Sequence, residues 1–423
     1  MRHIAIVGAG VTGVTTAYAL VERGYEVTVF DQNRYAGMET SFANGGQLSA
    51  SNAEVWNSAS TVLKGLRWMM RRDAPLLVNP LPGWHKYSWM AEFVANISNY
   101  RANTIETVRL AIAARKYLFE MAEREKIDFD LERRGILHFY RDKAGFDKAL
   151  KVNGLLAKGG LDRHAVTVEE IRQIEPALKG TCYAGFFTPS DSTGDIHKFT
   201  RGLSDVCARR GVRFRFDASI DKVVPSADGT FHIRWLSTGS RDGGRDTQGQ
   251  SLQADAVVIC AGTASREFAN MLGDRLNIYP VKGYSITVGL HTLESQIAAP
   301  QVSILDDATK IVTSRLGRDR FRVAGTAEFN GFNRDIRHDR IEPLVRWTRE
   351  HFPEVATDKV VAWSGLRPMM PSMLPRVGAG RRPGVFYNTG HGHLGWTLSA
   401  ATAQMVADAV SEIVAIEGQY RAA

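Results

Sequence analysis

Gly8, Gly10 and Gly13 stand in the spacing G-x-G-x-x-G, and an acid, Asp31, follows eighteen residues after the third glycine. Glycines so spaced can bring backbone amides against a pyrophosphate: the first permits the tight turn, the second the close approach, the third the packing of helix on strand. A helix that begins at such a turn presents unpaired N–H groups and the positive end of its dipole to the phosphates. Asp31 can accept hydrogen bonds from a ribose diol. A second glycine loop, Asn388 to Trp396 (NTGHGHLGW), carries Gly390, Gly392 and Gly395 with His391 and His393 between them. It can offer amides to another part of a large ligand. Arg367, in Trp363 to Pro368 (WSGLRP), could clamp a carboxylate with its bidentate fork, although an arginine at a strand end also reads as a surface ion pair. The two histidines look like general bases, yet neither has a carboxylate or nucleophile beside it in sequence. G-x-S-x-G, H-E-x-x-H and G-x-x-x-x-G-K-[ST] are all missing from the chain.

The elements that must hold these residues are legible around them. Ile4 to Val7 is an apolar strand, the following helix turns Val14, Ala17 and Leu20 to one face, and Tyr25 to Phe30 is a second strand ending at Asp31. Ile6, Val7, Gly8, Ala9, Gly10, Val11, Thr12 and Gly13 therefore form one strand–turn–helix unit for a dinucleotide. Glu39 to Ser51 (ETSFANGGQLSAS) is too polar and glycine-rich for a regular element and reads as a loop that approaches a ligand. Helical periodicity runs from 84 to 126, a strand from 135 to 141 and a further helix from 142 to 160. A helix is predicted from Asp195, as N-cap, to about Arg210, followed by the short strands VRFRF and SIDKVV. Residues 237–250 read as a hairpin tip. Residues 254–262 (ADAVVICAG) are a buried parallel strand entering a second glycine turn, and 279–327 alternate like an antiparallel sheet. From Val360 the pattern is a strand, a proline-rich turn, a strand at Gly384 to Tyr387, the glycine and histidine loop, and a closing helix from about Leu394.

With 423 residues and 44% hydrophobic content the chain can bury more than one core, so two domains are expected. The formal charge of +8 is spread along the sequence without a nucleic-acid motif, which leaves solubility as its first reading and nucleic acid as no partner. Cys182, Cys207 and Cys260 are far apart and form no C-x-x-C, so neither a zinc site nor any other metal site is expected, and a reducing, cytoplasmic setting fits. No apolar run is long enough to span a bilayer. Residues 61–72 (TVLKGLRWMMRR) place apolar and basic side chains at helical spacing. They read first as a surface helix turned to the core, and second as a peripheral contact with an anionic membrane, which would be the inner face of the cytoplasmic membrane.

The motifs IVGAGVTG, ETSFANGGQLSAS, STGDIHKFT, VVICAGTAS, PVKGYS, WSGLRPMMPSMLP and NTGHGHLGWTLS together resemble the small subunits of D-amino acid dehydrogenases, within the wider group of D-amino-acid-oxidase-like flavoproteins, from the first strand to the last helix. The resemblance implies an α/β fold, α+β in part: a Rossmann-like FAD-binding domain (1–85, 196–275 and 360–423) interleaved with a mixed-sheet substrate domain (86–195 and 276–359). It implies FAD, held without a covalent link because no cysteine lies between 360 and 400. Gly8, Gly10, Gly13 and Asp31 would hold the adenosine half. Ser41, Asn44, Gly45, Gly46 and Gln47 would sit toward the flavin, Gly262 by the pyrophosphate, and Gly392, His393, Leu394, Gly395 and Trp396 at the isoalloxazine. Arg367 matches the carboxylate-binding position, which displaces the surface-pair reading, and Tyr284 would be a second substrate contact, with His393 a third catalytic candidate. The implied reaction takes a D-amino acid to a 2-oxo acid and ammonia and passes electrons to a quinone or artificial acceptor. A secondary amine of the D-proline, hydroxyproline, glycine or sarcosine type, or service as the flavin subunit of an amine-oxidising complex, is the alternative. One departure stands out. Family members commonly read T-P-D-G where this chain has Met370-Pro371-Ser372-Met373, which predicts a bulkier, more apolar substrate pocket.

Overall fold

The computed structural model describes residues 2–68, 75–238 and 249–422. Its first sheet has six strands in the order Arg376–Ala379, Val385–Thr389, Ala256–Ile259, His3–Val7, Glu26–Phe30 and Arg213–Arg215. All neighbours are parallel except the first two. Strands buried on both faces need no polar side, and Ile4, Ala5, Ile6, Val257, Val258 and Ile259 are accordingly fully buried. On one face the helices Val11–Val21, Tyr100–Glu125, Ile196–Arg209 and Gly395–Ala422 bury Val14, Ala17, Leu118, Phe199, Leu203 and Val406 in a common core. Asp195 caps its helix as expected, accepting from the amides of His197 and Lys198. The other face is covered by the antiparallel strands Ala218–Pro225, Phe231–Ser237 and Gln250–Ala254 and the helix Ser265–Met271. The last two of those strands pair as a hairpin, as read from sequence; residues 239–248 at its tip lie outside the described residues.

The second sheet has nine strands. Its main path runs Val360–Met369, Tyr279–Gly289, Arg320–Phe329, Ile311–Leu316, Ser303–Asp306, Ile136–Tyr140, Ala184–Thr188 and His164–Val166, with Leu76–Val78 added beside Arg320–Phe329. The helix His338–His351 buries Leu344, Val345 and Trp347 against Ile286 and Val323 on one face. The opposite face looks into the cavity described below.

Three placements differ from the sequence-based pattern. Val360–Met369 pairs over ten residues with Tyr279–Gly289, so it belongs to the second sheet, and Arg367 lies in the body of a strand rather than closing one. The long helical run breaks at a 3-10 turn, Asn96–Asn99, and Tyr100–Glu125 packs on the first sheet's helices. The proline-rich turn contains a further strand, Arg376–Ala379. In the basic stretch a helix covers Ala59–Trp68, while residues 69–72 lie outside the described residues. Among the described residues no helix is long and apolar enough to cross a membrane.

Candidate active site

The glycine turn is built by close approach. Gly8 has φ +103°, and a Cβ there would lie 2.6 Å from the carbonyl oxygen of Cys260; a Cβ at Gly13 would lie 1.9 Å from that of Gly8. Both positions therefore exclude any other residue. Gly10 differs, since a Cβ there would meet only Ser41 Oγ, at 3.6 Å. Its open side faces a cavity of about 1000 Å3. Ser41 Oγ accepts from the Val11 amide at 3.1 Å, capping the helix from another loop. Asp31 closes the turn: Oδ2 accepts from the Ala9 amide at 2.7 Å, and Oδ1 from the amide and side chain of Asn33, each at 2.9 Å. Burial raises its pKa, and these hydrogen bonds oppose the rise.

Four segments distant in sequence line that one cavity: Gly8, Gly10, Val11, Thr12 and Asp31; Thr40 to Gln47; Ala261 and Gly262; and Thr389 to Trp396. Val7 also borders it, whereas Ile6, Ala9 and Gly13 stand behind the turn. In the second segment Asn44 Oδ1 accepts from the Gly46 amide at 2.8 Å, and Gln47 Nε2 donates to Ser303 Oγ at 2.8 Å. Gly45 must be small, because a Cβ would lie 2.9 Å from Val312. In the fourth, Gly390 and Gly392 have positive φ and leave no room for a Cβ beside Met370 and Met369.

Arg367 projects from its strand into the cavity. Its Nη1 donates to the Thr326 carbonyl at 3.1 Å, and among the described residues it has no acidic partner. Burial lowers its pKa to about 10, which leaves it charged at neutral pH. A buried cation without a counter-ion is costly, and an anionic ligand would remove that cost. His393 stacks on Trp56, ring centroids 4.7 Å apart, and its Nε2 lies 3.3 Å from the Asn52 carbonyl. That contact assigns the proton to Nε2, so Nδ1, which is buried and unpartnered, presents a lone pair. Burial, and then the charge of Arg367, lower its pKa to about 4. His391 is spent on Thr402 Oγ1 at 3.0 Å and is lowered to about 3 by burial.

Two expectations are corrected. Tyr284 borders the cavity, but strand alternation turns its ring to the opposite face from Arg367, where the hydroxyl donates to Glu328 at 2.6 Å. A hydroxyl so placed makes no substrate contact in the cavity. Met370 and Met373 are also not among the cavity's walls: Met370 supports Gly390 from behind, and Met373 is buried in a cluster with Trp89, Val281 and Phe329. The apolar wall comes instead from Trp56, Trp89, Phe93, Phe329 and Trp363. No motif singles these out, because aromatic residues at helix and strand spacing read as ordinary core.

The profile of the FAD dependent oxidoreductase family matches residues 3–409. The chain belongs to that family. D-amino acid dehydrogenase 3 of Mesorhizobium japonicum is 64% identical to it over 422 residues, covering 100% of both chains. D-amino acid dehydrogenase of Paramagnetospirillum magneticum is 41% identical, over 96% of this chain and 94% of that one. The fold matches glycine oxidase from Geobacillus kaustophilus with a TM-score of 0.73 at 21% identity, covering 97% and 95% of the two chains. It matches L-proline dehydrogenase from P. horikoshii with a TM-score of 0.72 at 15% identity, covering 97% and 93%. The cavity of this FAD-dependent oxidoreductase suits the cofactor. Its glycine turn is cleared for a pyrophosphate, and two residues that line it, Gln47 and Trp396, have buried polar atoms, Oε1 and Nε1, without partners. A ring system carrying both donors and acceptors can satisfy them.

Proposed function

We propose that this oxidoreductase is a D-amino acid dehydrogenase, converting D-amino acids to 2-oxo acids and ammonia. The observation that carries the reading is Arg367, a charged guanidinium in the cavity with no acidic partner among the described residues. The name of the relative that is 64% identical over the full length supports the hand of the substrate. In the same reading Gly8, Gly10, Val11, Thr12 and Asp31 hold the adenosine end of FAD, Ser41, Asn44 to Gln47 and Gly262 its middle, and Gly392 to Trp396 its ring. The two interleaved units take the boundaries given above, with the last one moved past Met369 and Leu76–Val78 assigned to the substrate unit, to follow the sheets.

Bound FAD supplies the two-electron acceptor for the hydride leaving the substrate Cα. The protein's part is alignment. Arg367 takes the carboxylate in a charge-assisted contact. His393, neutral above about pH 4, offers Nδ1 to an amine N–H and so holds the nitrogen in place. Trp56, Trp89, Phe93 and Phe329 enclose the side chain and exclude water while the bond breaks. The imine then takes up water to give the 2-oxo acid and ammonia, a step that asks for no nucleophile from the chain.

The electron acceptor in this reading is a quinone or comparable carrier, following the word dehydrogenase in the relatives' names. Peripheral membrane contact has support in Leu63, Leu81 and Trp84, which are 62%, 70% and 83% exposed on elements flanking the cavity walls Val62, Leu76 and Val78. The aromatic wall also favours a second reading, oxidation of a cyclic secondary amine such as D-proline. The test is an anaerobic screen of flavin bleaching over D- and L-amino acids, prolines and N-methyl amino acids. Bleaching by primary D-amino acids supports the first reading, and bleaching by prolines alone the second. A flavin that no D-amino acid bleaches overturns both.

A further inference from the structure

The cavity extends well beyond Arg367. The strand Val360–Met369 that carries Arg367 and the strand Ile136–Tyr140 lie five strand positions apart in the second sheet, roughly 24 Å at ~4.8 Å per strand. Both border the same cavity. Its far arm is walled by Tyr140 and Arg163, by Asp307 and Lys310, and by Ala149 and Val152 of the helix Lys143–Lys158.

Arg163 is the anomaly of this arm. It is 7% exposed, its guanidinium lies 4.5 Å from the ring centroid of Phe186, and Nη2 donates to Tyr140 Oη at 3.1 Å. Its Nε is buried without a hydrogen bond, and among the described residues it has no acidic partner. Lys310, by contrast, is matched by Asp307 at 2.5 Å. Because Tyr140 Oη accepts from Arg163, its own proton points elsewhere, and burial raises its pKa so that it stays protonated. Arg163 and the Tyr140 hydroxyl therefore meet in a pocket whose other walls are apolar at Ala149, Val152 and Leu305, polar at His138, and charged at Lys148 and at the paired Asp307 and Lys310.

We infer that the far arm is a second carboxylate site, in which Arg163 and Tyr140 bind a small monocarboxylate with an apolar tail. A planar guanidinium stacked on an aromatic ring is preset for a bidentate carboxylate. The arm has no free carboxylate to receive an ammonium, so a 2-oxo acid fits it better than a zwitterionic amino acid. The ligand class rests on the proposed reaction, whose product is a 2-oxo acid; the site itself rests on Arg163. A molecule small enough to be clamped by Arg367 cannot reach Arg163, so the two sites bind independently.

Equilibrium dialysis of the oxidised holoenzyme with labelled 2-oxoisovalerate tests this. Two equivalents per chain are expected for the natural protein, one for Arg163→Met, one for Arg367→Met and none for the double variant. Flavin content should be unchanged in Arg163→Met. Should that variant fail to retain its flavin, Tyr140→Phe, which keeps the charge, is expected to weaken the second equivalent about tenfold, or 1.4 kcal/mol. L-Valine, the zwitterionic control, should not fill the Arg163 site. One equivalent in the natural protein that Arg163→Met retains, two in Arg163→Met, or equal binding of L-valine at the second site overturns the inference. One equivalent in the natural protein that Arg163→Met abolishes and Arg367→Met retains would instead count against the proposed reaction alone.

Discussion

Gly283 lies directly beneath the guanidinium of Arg367: a Cβ at residue 283 would stand 2.3 Å from Arg367 Cζ. The contact follows from register. Gly283 pairs with Gly365, and Val281 with Arg367, so all four share the face that looks into the cavity. The absence of a side chain at Gly283 is what gives Arg367 its position.

Gly283→Ala should therefore act on the site rather than on the fold. The atom displaced is the end of a flexible side chain, which can move aside at little cost in stability, but the guanidinium then leaves its place. The expected result is a rise in KM of roughly tenfold or more with flavin content and Tm near those of the natural protein, since small misplacements of a positioning group are expensive. Arg367→Ala sets the upper limit. Loss of a charge-assisted contact of about 1.5 to 3 kcal/mol corresponds to roughly a 10- to 150-fold increase in KM. Steady-state kinetics on the two variants would show whether the glycine works through the arginine.

Two glycines of the opening turn, Gly10 and Gly13, should separate by mechanism. Gly13→Ala forces a methyl group to within 1.9 Å of a backbone carbonyl that cannot move without breaking the turn, so the apoprotein itself should lose stability. Gly10→Ala meets only Ser41 Oγ at 3.6 Å and projects toward the cavity, so its apoprotein should melt near the natural value while its flavin content falls. Differential scanning fluorimetry of the apoproteins, paired with flavin absorbance of the proteins as purified, measures both. A Gly10→Ala protein with full flavin would remove that glycine from the cofactor's path.

What could be read from sequence was what local geometry demands. Gly8 and Gly13 announce themselves because no other residue fits their turn, and Asp195 because a helix start needs a cap. The side on which a strand residue lands depends on pairing partners far along the chain. The K-G-Y-S motif marked the right strand, yet the pleat turned Tyr284 away and made Gly283 the residue that matters for the cavity. The same dependence hid the membership of Val360–Met369 in the second sheet, which only its pairing with Tyr279–Gly289 reveals. Trp56, Trp89 and Arg163 carried no signal, since their types and spacing are those of any core or surface element until the fold places them around one cavity.

His391 and His393 should make the protein sensitive to acid. Both have folded-state pKa values pushed down by burial, to about 3 and about 4, from an ordinary value of 6.5. Below pH 6.5 the unfolded chain takes up protons that the folded chain refuses, so stability falls as pH drops from about 6.5 toward 4 and is fully present above that range. Each such proton contributes at most about 1.4 kcal/mol per pH unit. Melting temperature measured from pH 7 to pH 4 should fall, and His391→Gln should show a shallower slope than the natural protein. An unchanged slope would mean that His391 titrates normally.

Met373 stands at φ +63°, in the left-handed region that favours glycine. Glycine would remove a conformational cost of about 1 to 2 kcal/mol. Met373 is also 6% exposed and packs against Trp89, Val281 and Phe329, and deleting such a side chain costs about 2 to 5 kcal/mol. Burial outweighs strain, so Met373→Gly should destabilise the protein by roughly 1 to 3 kcal/mol despite relieving the strained backbone. Because neither Met370 nor Met373 is part of the cavity wall, KM for any given amino acid should stay within about twofold, less than 0.5 kcal/mol. Urea denaturation and a KM series over small and bulky D-amino acids check both halves. A stabilised variant would show that the strained backbone dominates, and a changed substrate preference would show that Met373 reaches the pocket through Met370 and the Gly390 loop that Met370 supports.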